Sequence, residues 1–133
     1  MKQSLKPGLA HARKITVDDS RVIEFMGADC RVYATPRIIS DVEYTCRDFL
    51  LQHLDAGEDS VGTKVNWEHV GPALLGESVT VSVKLVQVDG RRVTFEASVA
   101  AGADAVAHGT HERFVVDVQN VRDRLLKRKA KVA

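Results

Sequence analysis

An α+β domain, in which an antiparallel sheet wraps around one long central helix, is what this sequence predicts. Three observations carry the prediction. One segment, near residues 36–55, has apolar residues at helical spacing. Nearly everything after it alternates apolar and polar residues with a period of two. The later alternating stretches are joined by short turns that contain Gly.

The elements follow in order. "ARKITV", 12–17, is a short strand candidate, and residues 18–34 read as irregular chain or as a short helix plus extended chain. Thr35 before Pro36 marks a helix start, with Thr as N-cap and Pro at the first helical position. Ile38, Ile39, Val42, Cys46, Phe49, Leu50 and Leu54 give the buried stripe, and Gly57 is the expected C-terminal cap. Residues 61–70 alternate and place Val65, Trp67 and His69 on one face. Residues 78–88 put Val79, Val81, Val83 and Leu85 on one side. Asp89-Gly90 reads as a two-residue hairpin turn, answered by Val93, Phe95, Ala97 and Val99. "AGAD", 101–104, turns again into a long last strand over 105–118. "VRDRLLKRKAKVA", 121–133, reads as a solvated, partly frayed basic tail, or as a contact for a phosphorylated ligand.

The expected order is therefore strand, helix, then four strands in a meander. One sheet face must be buried, and the 36–55 helix is the only long one available to cover it. That is the hot-dog architecture. It leaves a sheet edge and a groove beside the helix, so at least a homodimer is expected.

Bulk properties narrow the function. The 133 residues fit a single domain, 44% hydrophobic and 28% charged, as in ordinary globular proteins. A formal net charge of +1 makes no electrostatic case for nucleic acid. No apolar run approaches the roughly 18 residues of a membrane span, so no membrane partner is expected. The N-terminus lacks the apolar stretch of a secretory signal, which makes a cytoplasmic location the default, with Cys30 and Cys46 as thiols.

Three residues are candidates for chemistry. Taking Val42 as zero, Leu50, Glu43 and Leu54 fall at about 80°, 100° and 120° around the helix. Glu43 thus borders the apolar stripe, where a partly desolvated carboxylate is a usable base; the alternative is an ordinary surface pair with Arg47. Thr35 is explained as a cap, or it places a hydroxyl near developing negative charge. His69 ends its strand before Gly71-Pro72, either half-solvated and structural or acting as an acid or base. His108 and His111, three apart on a strand, point to opposite faces, and no Cys/His spacing supports zinc, so no metal is expected. Cys46 reads as a buried thiol, and Gly109 within a strand suggests a bulge or a close approach.

Together, "ATP" at 34–36, Glu43 in "VEYTC", "GT" at 62–63, His69 in "EHVGPALLGE", "DGRRVTFEASV" at 89–99 and "GTHERFVV" at 109–116 resemble the fluoroacetyl-CoA thioesterase family. These are single-domain hot-dog enzymes that hydrolyse acyl-CoA thioesters. The resemblance runs from about residue 32 to 118. It implies a catalytic set of Thr35, Glu43 and His69, with Gly62 and Arg113 in the substrate-binding wall or dimer contact. It implies no cofactor, with CoA entering only as part of the substrate. "RVIEFMGADCRVYA" lacks an aromatic-rich lid and "PRIISD" is a polar helix start, so the expected substrate carries another short or medium acyl group. Two other functions fit the same architecture: an acyl-CoA-binding module without turnover, and a dehydratase or hydratase. Dimers of this kind can pair again into a dimer of dimers.

Overall fold

Strand β1, Ala10–Thr16, leads through a short 3₁₀ turn at Asp19–Arg21 to helix α1, Thr35–Leu51. Strands β2 (Glu58–His69), β3 (Ser78–Asp89), β4 (Arg92–Ala101) and β5 (Asp104–Asp117) follow, and helix α2 (Val118–Val132) ends the chain. This computed structural model describes residues 1–133. The architecture is the expected α+β hot-dog. Ile38, Val42, Cys46, Phe49 and Leu50 form the buried face of α1. They share one core with Val79, Val81, Val83 and Leu85 of β3 and with Val93, Phe95, Ala97 and Val99 of β4. The period-two pattern therefore assigned the inner face of both strands correctly.

The strand order differs from the expected meander. It runs β1-β3-β4-β5-β2, all pairs antiparallel, so only β3, β4 and β5 form a meander. β2 lies at the far edge against β5. The reason is the link over residues 70–77, which is no hairpin turn. Val70 and Gly71 donate to the Val106 carbonyl, Tyr33 donates to that of Ala73, and Ala73 is buried. The chain is thereby drawn across the end of β5 before β3 begins.

Local boundaries also shift. Ala34, in extended conformation, is the helix cap, and its carbonyl accepts from Arg37 and Ile38. Thr35 is already helical and makes no capping bond, which corrects the expected N-cap. The helix ends at Leu51, because residues 52–54 bond three residues back in tighter turns. Gly57, at φ +84°, serves the turn into β2 and not the helix end. The first hairpin pairs Asp89 with Arg92, so its two loop residues are Gly90 and Arg91, one position later than expected. Gly90 sits at φ +59°, as a tight two-residue turn requires.

Two segments were beyond the sequence patterns. Residues 18–34 are pinned to α1 by polar contacts. Arg21 donates to both oxygens of Asp41 at 2.8 and 3.1 Å, and the Tyr33 hydroxyl donates to the same carboxylate. Burial and that carboxylate raise the Tyr33 pKa and keep the phenol protonated. The basic segment is not frayed chain but helix α2. Asp117 caps it by accepting from the Asn120 N–H, and none of its residues is buried.

Candidate active site

Because Ala34 caps α1, the Thr35 hydroxyl is left for another partner. It lies 2.7 Å from His69 Nδ1. Both residues are exposed. His69 closes β2 opposite Ala107, and the backbone just beyond it is held by the Val106 carbonyl. The strand end is therefore fixed against the first turn of the helix. A hydroxyl on an imidazole nitrogen can relay a proton and set the tautomer of the ring.

Glu43 belongs to a second cluster. Arg113 Nη1 donates to Glu43 Oε1 at 3.3 Å. The Arg113 side chain is only 4% exposed, whereas that of Glu43 is 42% exposed. Arg113 Nε donates to Ser60 Oγ at 2.7 Å and Nη2 to the Ser60 carbonyl at 2.8 Å. His111 is also buried; its Nδ1 lies 2.9 Å from the Lys64 carbonyl and its Nε2 3.1 Å from Arg113 Nη1. The carbonyl can only accept and the guanidinium can only donate. The ring is therefore neutral, with its proton on Nδ1. Burial, the largest cause, lowers the His111 pKa from its usual value.

Gly62 makes room for this arrangement. A Cβ there would lie 2.6 Å from Glu43 Oε1 and 3.2 Å from His111 Cε1. The anticipated surface pair of Glu43 with Arg47 does not form. Arg47 is bound to Asp59 and Asp48 instead. Cys46, the residue below Glu43 on the inner side of the helix, is buried, and burial pushes its thiol up to about 12, so it is no nucleophile at neutral pH. A cleft of about 470 Å³ opens over Glu43, between Tyr44, Arg47, Ser60 and Gly62. A wider depression, about 550 Å³, lies over β1, β3 and β4, and none of Thr35, Glu43 or His69 borders it.

The structure thus joins Thr35 to His69, and Glu43 to Gly62 and Arg113, without bringing both groups together in one chain. Glu43 lies eight helical positions after Thr35, about 12 Å at 1.5 Å per residue. His108 and His111 do face opposite ways: His108 is exposed and His111 buried. Gly109 marks a close approach. Its Cβ would lie 2.0 Å from the Asn66 carbonyl oxygen and 2.6 Å from the Trp67 ring, while the bulge in β2 falls between Gly62 and Lys64. Ser60 and the polar use of His111 were missed from sequence. The signal for His111 was its place two residues before Arg113 and four before the core residue Val115.

Comparison with known proteins bears on this geometry. Residues 17–119 match the family model of the fluoroacetyl-CoA-specific thioesterases. The fluoroacetyl-CoA thioesterase of Streptantibioticus cattleyicolor is 34% identical over 88 residues, which span 66% of this chain and 63% of that relative's length. A mutant of the fluoroacetyl-CoA-specific thioesterase FlK, solved in complex with fluoroacetate and CoA, superposes with a TM-score of 0.81 at 28% identity. That superposition covers 88% of this chain and 99% of the other. A Thermus thermophilus member of the thioesterase superfamily shares the fold at a TM-score of 0.86 and 24% identity, covering 98% and 99% of the two chains.

Proposed function

This chain belongs to the fluoroacetyl-CoA-specific thioesterase family, and from that premise we propose that it is a single-domain thioester hydrolase. It converts a short or medium acyl-CoA to the free acid and CoA. The observation that carries this reading is the 2.7 Å contact of Thr35 Oγ1 with His69 Nδ1, made by a hydroxyl that the helix does not use as a cap. Glu43 removes a proton from water, which adds to the thioester carbonyl. Arg113 holds one oxygen of that carboxylate, and the other is free to face the cleft. His69 donates its Nδ1–H to Thr35 Oγ1; as the imidazolium it gives its Nε2 proton to the departing thiolate and returns to neutral, and the proton that Glu43 took from water restores it. Gly62 and Arg113 form the wall beside Glu43. The reaction needs no cofactor, and it belongs in the cytoplasm with acyl-CoA itself.

The two clusters are joined by a second copy. β2 is an edge strand of 12 residues whose outer side has no partner, and Val61 and Val65 on it are 45% and 44% exposed. Antiparallel pairing of β2 with its own copy, centred between residues 65 and 66, would set His69 of one copy opposite Gly62 of the other. The Thr35–His69 pair would then face Glu43 across the groove. Sedimentation at micromolar concentration is expected to give a dimer or a dimer of dimers, and an active monomer would contradict this groove.

The reading is tested by thiol release across acyl-CoAs that differ in chain length and polarity. The expected result is free CoA in step with free acid. Acyl-CoA that binds without thiol release would make the protein a binding module. A product still esterified to CoA with an altered double bond would make it a hydratase.

A further inference from the structure

We propose that His111 is a positioning residue for Glu43: held as the neutral Nδ1–H tautomer by the Lys64 carbonyl, it presents Nε2 to Arg113 Nη1 and so keeps that guanidinium arm against the Glu43 carboxylate. The proposal rests on the reading of Glu43 as the base.

The geometry gives His111 this role through Arg113. Arg113 spends Nε and Nη2 on Ser60, at 2.7 and 2.8 Å. Only Nη1 points to the carboxylate, and it has two acceptors, His111 Nε2 at 3.1 Å and Glu43 Oε1 at 3.3 Å. The imidazole is thus the second anchor of the arm that touches Glu43. Its own orientation is set from β2 by the Lys64 carbonyl at 2.9 Å.

Protonation of His111 would reverse this. Both ring nitrogens would donate, and Nε2–H would confront the Nη1–H groups of a cation at hydrogen-bond distance. The guanidinium arm would have to withdraw, and a second cation would stand beside Glu43. The groups that act on the ring come from four elements. α1 offers Glu43; β5 offers Arg113 and Glu112; β2 offers the Lys64 carbonyl and β4 the apolar Phe95. Burial and Arg113 oppose the imidazolium, while the Lys64 carbonyl, Glu43 and Glu112 favour it, and the balance is downward from 6.5. The neutral ring therefore persists below the pH at which an exposed histidine protonates.

Below about 6.5 the unfolded chain takes up this proton and the folded chain does not yet. Stability is thus lost as pH falls from that value towards the folded-state pKa, and is fully present above it.

Three measurements test the proposal. Nitrogen-15 NMR of the histidine side chains is expected to show His111 neutral with its proton on Nδ1 at pH 7, whatever the enzyme's activity. The carbon-13 shift of the Glu43 carboxyl is expected to step at the pH where His111 protonates. His111→Gln, whose amide can accept from Arg113 and donate to the Lys64 carbonyl, should keep kcat within about 3-fold at pH 8 and lose the acid-side inflection. His111→Leu, which offers no acceptor, should lower kcat by about 10-fold or more in the folded fraction and leave KM within 2-fold. A Glu43 carboxyl indifferent to His111, or a His111→Leu enzyme with normal kcat, would overturn the proposal. If the wild type released no thiol from any acyl-CoA, the hydrolase reading would fail, and the two NMR arms would still decide the His111–Arg113–Glu43 linkage.

Discussion

Glu43→Gln is expected to lower thioester hydrolysis by about 10²-fold or more in a protein that folds normally, the scale for loss of a positioned base. The substitution is nearly isosteric. The amide oxygen can still accept from Arg113 Nη1, so the Arg113–Ser60 bonds beneath it have no reason to move. What disappears is the charge and the ability to take a proton. Binding of acyl-CoA should change little, because the side chain is half open to the cleft and the loss is confined to turnover. Arg47→Ala supplies the contrast. Arg47 lines the same cleft but is tied to Asp59 and Asp48, so its removal should cost far less in kcat. A Glu43→Gln enzyme with near-normal turnover would remove Glu43 from the reaction.

Gly109→Ala is expected to have the largest effect on stability. The added methyl would meet the Asn66 carbonyl oxygen at 2.0 Å and the Trp67 Cα at 2.9 Å. These are backbone atoms of the paired strand, and a rotamer change cannot relieve them. β2 would have to move away from β5 at the register pair Trp67–Gly109. Overpacking of this kind costs about 1–3 kcal/mol, occasionally more. Trp67 is the chain's one tryptophan, so its fluorescence reports the strand directly. The expected result is a lower urea midpoint together with an altered emission maximum in the folded state. An unchanged midpoint would mean that β2 and β5 tolerate the separation. Because His69 lies two residues beyond Trp67, displacement of β2 should also weaken the Thr35–His69 contact.

How legible these features were depended on whether the cause was local. The inner faces of β3 and β4 were readable because alternation is a property of each strand alone. The position of β2 was not. It follows from the path of residues 70–77 across β5, and that path is set by backbone bonds to Val106 and Tyr33 far away in sequence. Thr35 was recognised as a helix-start residue but misassigned by one position, since Ala34 can cap through its carbonyl alone. Glu43 was placed rightly at the border of the buried stripe. Its partner was not, because the nearest basic residue in sequence, Arg47, is engaged by Asp59 of β2. His111 was the hardest case. Its polar role exists only because β2, β5 and α1 converge on one buried point.

Helix α2 shows what the core leaves out. None of its residues is buried, and it is held at its first turn by the Asp117 cap and by the Val118 N–H on the Gly57 carbonyl. An isolated helix of 15 residues is marginal in water. Its amide protons should therefore exchange through local fraying, while those of β3 to β5 wait for global unfolding. The same segment carries six Lys and Arg against Asp123 alone. Without it the rest of the chain would be net negative, and the whole chain owes its slightly positive charge to one loosely held helix. The sign of the net charge is thus set by a part of the chain that takes no share in the core.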